Sequence, residues 1–395
     1  MFVEMSKIIQ YTILFLVIPL YTAQGWLFES GSIVSQGLVL IWLLVDVYYT
    51  VVFISSREKT SISKPLLLFW AMIVLSWLLS PKEIHAYGWE IKTSGDLKNI
   101  TIVLLSYFPF RYWLRYGYLR KKTLVLFLLF MTFASVMAFV TLIKKFDVEY
   151  SIINNTGYYF AMLVPLLGIM MNRKYTIAIF MVLLYFCIAS AKRGAVFCIA
   201  IGIALFFYFS IISASKKHHY STMVLAIVLF IIVGFFSYDI YMANDFLQYR
   251  MNKTLVENDT GGRDVIFSSL MNFYQDSNII NILFGHGLDK TVEVAGNFAH
   301  MDWLELLVDN GLLGAFLYLS LFYSMIKYYK KNRMIIGKDV AFIFTSTFSC
   351  WLLKSFVSMG YTHFFSFIFL AEYAYFENEV IRSKSKRSAN YIKKL

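Results

Sequence analysis

Three residues pair a reactive type with a setting that suits it: Arg263, Arg193 and His300. Arg263 follows two glycines in TGGRD, where helical spacing begins. Free backbone N–H groups and the positive end of the helix dipole collect there, and a planar guanidinium adds a fork that matches phosphate oxygens. The plainer reading is an exposed arginine paired with Asp259 or Asp264. Arg193 sits with Lys192 in SAKRGA, between two apolar runs. Two adjacent cations at the end of a hydrophobic segment can snorkel, but they also suit an anion held at a membrane face. His300, in AHMDWLELL, can exchange a proton near neutral pH, although a lone histidine is commonly structural. Asp302, Glu305 and Asp309 follow it without the spacing of a metal-binding motif, so no metal site is expected. Lys354 lies near the end of a later apolar run, close enough to join a basic cavity. Asp46 and Glu372 lie inside apolar runs and are expected to be structural.

The segments that must position these groups are hydrophobic. Of 395 residues, 59% are hydrophobic and 15% charged, against about 25% charged in soluble domains. Runs of roughly 20 apolar residues, enough to cross a bilayer, fall at 8–25, 33–54, 65–80, 99–117, 123–143, 157–172, 175–190, 194–213, 221–239, 304–327, 340–358 and 361–377. The expected fold is an all-α integral membrane protein of about 12 spans: a bundle over 1–239, a polar loop over 240–303, and a last unit over 304–395 ending in a basic tail. The first span carries no cleavage motif and is read as an uncleaved helix. Cys187, Cys198 and Cys350 all fall in apolar runs, which suggests neither disulfides nor a thiolate metal site.

Two thirds of the 36 basic residues fall in the segments that lie inside when the N-terminus is placed inside. Both termini are then cytoplasmic and the loop 240–303 is external. The net charge of +12 reflects this topology and attraction to anionic lipid, not a nucleic-acid partner. Residues 81–98 and 144–156 are also external and bring His85, Trp89 and Tyr150 to the outer interface. Aromatics there form membrane belts, or cover the apolar face of a sugar.

The loop itself should be structured. A helix is expected over 262–275, capped by Asp259 or Thr260, with Val265, Ile266, Leu270 and Phe273 on its apolar face. Gly-His-Gly at 285–287 reads as a turn. A second helix should begin near Asn297 or Phe298 with His300 at its start, and Gly311 and Gly314 should allow close packing where it enters the bilayer. No pair of broken spans recurs in the two halves, which is the best sequence sign of a transporter.

AHMDWLELLVDNGLLG, GGRDVIF with FGHG after it, and SAKRGA occur in an order that resembles the O-antigen polymerase/ligase superfamily. The matching region runs from Ser190 to Gly314, and Met301 stands where that superfamily has an Asn. The resemblance implies a GT-C-like glycosyltransferase of the bacterial inner membrane with its site facing the periplasm. It implies His300, Arg193 and Arg263 as essential residues, and no metal or nucleotide cofactor; Lys192, Lys354 and Tyr150, from their places at the same face, are expected near the substrate. The donor would be an oligosaccharide on undecaprenyl pyrophosphate, and a chain-length regulator would be a partner. Within the superfamily a polymerase, which extends one lipid-linked unit with another, is favoured by the Phe-, Tyr- and Ile-rich chain with short outer loops. The alternatives are a ligase transferring glycan to lipid A–core, a relative glycosylating protein serine, and, from another class, a flippase for the same lipids.

Overall fold

The computed structural model describes residues 2–86, 89–145, 155–170, 175–213 and 262–392, with scattered residues between 224 and 256. About 81% of it is helical. In chain order the helices are α1 (Phe2–Thr12), α2 (Ile18–Thr22), α3 (Ile33–Ser55), α4 (Ser63–Leu79), α5 (Thr93–Leu105), α6 (Tyr107–Arg115), α7 (Lys121–Lys145), α8 (Gly157–Leu163), α9 (Tyr175–Ala189), α10 (Arg193–Ser213), α11 (Arg263–Gln275), α12 (Ile279–Phe284), α13 (Lys290–Ala295), α14 (Asp302–Asn332), α15 (Lys338–Val357) and α16 (Phe367–Ile392). A π-helical turn at Ile13–Val17 joins α1 to α2.

Six segments among the described residues are long and apolar enough to cross a membrane: Glu4–Thr22, α3, α7, α10, α14 and α15. Their outward faces carry Leu40, Leu44, Val51, Phe133 and Phe197, all exposed. Contiguous apolar surface of this kind calls for a lipid solvent, as in a multi-pass membrane protein. The other expected spans take different forms. α4 and α9 are shorter apolar helices. The run at 99–117 is divided between α5 and α6 at Ser106, whose hydroxyl donates to Asp46 at 3.0 Å and accepts from the Trp42 indole at 3.1 Å. The run at 157–172 is α8 followed by a 3-10 segment, Val164–Met170. Pro165 lies at its start and has no N–H with which to continue α8. The run at 221–239 lies outside the fully described residues.

Helix α16 is the axis of the bundle. Its first part is apolar all round and buried on every side from Phe367 to Asn378. It packs on α6 and α15, while α10 packs on α15 and α14 on α4. Its buried acids are partnered: Glu372 accepts from Thr347 at 2.7 Å, and Glu377 accepts from Ser61 and Tyr107 and lies 3.6 Å from Arg111. Arg111, read from sequence as part of the basic inner surface, is thus a buried ion-pair partner. The basic residues from 382 onward continue α16 as helix to Ile392.

One small sheet was not expected. Residues 83–92 form an antiparallel hairpin, β1 (Glu83–Ala86) and β2 (Trp89–Lys92), which packs on α13.

Candidate functional site

The assembly around His300 and Arg263 is organised by a break in α14. At Gly311 (φ 65°, ψ −170°) the helix leaves helical geometry in a region that only glycine occupies readily. The break frees the carbonyls of Val308 and Asp309, which would otherwise accept from the next turn. The N–H groups of His286 and Gly287 donate to them, each at 3.0 Å, and the Ser76 hydroxyl also donates to Asp309 O at 2.9 Å. The Gly-His-Gly turn is therefore docked onto a membrane helix. Gly314 packs under the Asn310 side chain rather than against another helix.

The acids that follow His300 hold this architecture. Asp309 accepts from the backbone N–H groups of Asp289 and Thr291 at 2.9 and 3.0 Å, fixing the start of α13. Asp302 accepts from Gly360 N–H at 2.6 Å and from the Tyr318 hydroxyl at 2.8 Å. Glu305 is buried in the first turn of α14. His300 is not a helix residue. It lies two positions before α14, in the left-handed conformation (φ 53°), with Met301 at the N-cap. A non-glycine residue held there is strained unless its surroundings fix it.

Arg263 is the first residue of α11, as its spacing predicts, behind Gly262 at φ 79°. Asp259 and Thr260, the expected caps, lie outside the described residues. Leu270, Ala299, Leu304 and Val308 form a small core that seats α11 on α14, with Ile266 and Phe273 against it. Val265, expected on the same face, points to solvent. Through this core Arg263 and His300 are held in one neighbourhood.

Lys192 and Arg193 open α10. Ala191 turns the chain into it at φ 52°, and the Lys192 carbonyl accepts the first helical hydrogen bond, from Ala195 at 2.9 Å. The Lys192 and Lys354 ammonium groups stand over the Tyr158 ring at 5.9 and 5.2 Å from its centroid. The Tyr158 hydroxyl packs against Gly194, where no side chain would fit. Lys354 is not part of an open cavity: it is buried, and it donates to Met359 O and to the Ser366 hydroxyl at 2.5 and 3.0 Å.

Electrostatics link these pieces. Burial, and after it the positive charges of Lys192 and Arg263, push the His300 imidazole down to about 4. The arrangement is a half-buried neutral imidazole beside cations presented at two helix starts. Such a place can hold an anion and accept a proton from a neighbouring hydroxyl.

Of the residues singled out from sequence, Lys192 and Lys354 stand over the Tyr158 ring, Arg263 lies within electrostatic reach of it, His300 feels the charges of Lys192 and Arg263, and Arg193 is next in the chain to Lys192. Tyr150 lies outside the described residues. Tyr158 and His363 were not anticipated. His363 lies tilted beside Tyr159 with ring centroids 5.5 Å apart and feels the charges of Lys354 and Lys192. The only sequence sign was a histidine near the start of the last apolar run. No protein-family model matches this chain, and no curated protein matches it either.

Proposed function

We propose that this chain is a polysaccharide polymerase of the O-antigen type, a multi-pass glycosyltransferase of the bacterial inner membrane. It would transfer a growing glycan from undecaprenyl pyrophosphate to a sugar hydroxyl of another lipid-linked repeat unit. The gathering of His300, Lys192 and Arg263 carries the reading, because His300 lies within reach of both positive charges. Twelve spans, a GT-C-like arrangement, cytoplasmic termini, a periplasm-facing site and a chain-length regulator as partner belong to the same proposal.

In this mechanism Arg263, Lys192 and Arg193 hold the pyrophosphate. The acceptor oxygen forms a bond to the anomeric carbon as the bond from that carbon to the pyrophosphate oxygen breaks. His300 takes the acceptor hydroxyl's proton, and the cations stabilise the charge on the departing lipid pyrophosphate. A histidine near 4 is a weak base. A bound diphosphate offsets the two cations and raises its basicity only when substrate is present.

The test is lipopolysaccharide electrophoresis of a deletion strain complemented with wild type, His300→Ala, Arg193→Ala or Arg263→Ala, at matched membrane levels. The expected deletion pattern is core plus one repeat unit, restored to long chains only by wild type. Core without any repeat points to a ligase or a flippase, which assay of lipid-linked intermediates separates. Full complementation by all three variants would overturn the proposed site.

A further inference from the structure

A cleft of about 1040 Å³ lies beside Arg263 and His300, without including either. One wall comes from β2 and the start of α5, with Glu90, Lys92, Asp96, Lys98 and Asn99. The other comes from the loop assembly, with Ile266, Val292 and the run Ala295–Phe298. Ile266 is one turn along α11 from Arg263, and Phe298 precedes His300 by two residues. The cleft therefore opens alongside both.

Its chemistry is specific. Pockets for drug-sized ligands run roughly 300–1,000 Å³ and are mostly apolar. This cleft is as large, but it is lined by two amides, two acids and two lysines. Phe298 is half-buried, and the Asn99 side-chain oxygen is buried without a hydrogen-bond partner. A buried acceptor left without a donor is costly, and a ligand hydroxyl can supply one. Neighbouring hydroxyls are matched by amides and carboxylates, which bond two at a time, and the apolar face of a pyranose is matched by an aromatic ring. Mixed charges of both signs favour a polyhydroxylated ligand over a purely anionic one.

We infer that this cleft binds carbohydrate, namely the sugars of the acceptor unit, and that it presents the terminal hydroxyl toward His300. The identity of the sugar as acceptor rests on the polymerase reading; the cleft as a carbohydrate site does not.

The probe is the free repeat-unit oligosaccharide, released by mild acid from lipid-linked material of the host strain. Binding to the full chain in detergent is followed by saturation-transfer NMR for wild type, Asn99→Ala, Asn297→Ala and Arg263→Ala. Asn297 is exposed, so its replacement keeps the test open if Asn99→Ala fails to fold. The expected result is saturable binding to wild type, five- to tenfold weaker in both asparagine variants and unchanged in Arg263→Ala. Absent binding to wild type, or equal binding by both asparagine variants, overturns the inference while leaving the polymerase reading to the gel. Loss confined to Arg263→Ala also overturns it, because the sugar would then sit at the cation cluster. Binding as expected together with full complementation by the His300 and arginine variants would fail the polymerase reading and leave the carbohydrate site standing.

Discussion

Gly285 lies so close to Gly311 that a Cβ on either would collide with the other segment's backbone. Both have positive φ, 83° and 65°. Together they let the Gly-His-Gly turn seat in the break of α14.

Replacing either glycine with alanine should therefore be severe. Strain at such positions costs roughly 1–3 kcal/mol, and the collision with backbone adds to it. Thermal unfolding in detergent should show a markedly lower Tm for Gly311→Ala and Gly285→Ala, with reduced membrane yield. Gly95, which has open space around its Cβ position, should tolerate the same change; equal behaviour of the three would contradict the docking described.

Stability and activity should separate between two residues of this region. Arg263 is exposed, so Arg263→Ala should change stability by less than about 0.5 kcal/mol. Its transfer rate should fall roughly 10²–10³-fold if it stabilises the leaving group. Asp302 accepts from Gly360 and Tyr318 in a buried place, and Asp302→Ala leaves both donors unpaired at about 1–3 kcal/mol each. Unfolding curves and in vitro transfer on the same preparations would expose a reversal of this pattern.

Histidine NMR can read the charge coupling directly. His300 titrates near 4 because of burial and the nearby cations. Its value should rise in Arg263→Gln, and in wild type on adding inorganic pyrophosphate. A depressed histidine favours unfolding in acid: the unfolded chain takes up a proton below about 6.5, so this contribution to stability is present above that pH and lost as pH falls through 4. A His300 resonance that ignores both changes would separate it from the cation cluster.

A second pH effect should run the other way. Burial raises the carboxyls of Asp96 and Asp289 above the ordinary carboxylate range, and the negative charges of Asp96, Asp309 and Glu305 raise Asp289 further. The folded chain holds protons here that the unfolded chain has released above about 4. Their contribution is present at low pH and declines as pH rises through the folded values. Hydrogen-exchange protection over 289–296, corrected for the intrinsic rise of amide exchange with pH, should fall from pH 5 to pH 8 in wild type, and Asp289→Asn should remove most of that fall.

Much of this architecture is legible in the chain because long apolar runs leave few alternatives. α3, α7, α10 and α15 fall within two residues of their expected bounds. Arg263 opens its helix because Gly-Gly before it and helical spacing after it agree. What escaped depended on partners far away in sequence. The hairpin at 83–92 does alternate in polarity, but it is held by packing on α13. The two glycines at 311 and 314 read as a packing surface, whereas the first is a break that becomes tolerable only through donors from 286 and 287. His300 reads as a helix start, whereas the helix begins two residues later, at Asp302. Tyr158 and His363 carry no local sign of the cluster they join.

The docking of residues 285–287 on the broken helix also limits what can move. Lifting that turn away would leave the Val308 carbonyl without its donor and the Asp309 carbonyl with Ser76 alone. The His300 side of the assembly is therefore the stationary jaw. α11 is seated through Leu270, its one buried side chain, with the half-buried Ile266 and Phe273 beside it, and it carries Arg263. A separation of the two sides costs least along α11, so the arginine side moves and the histidine side stays.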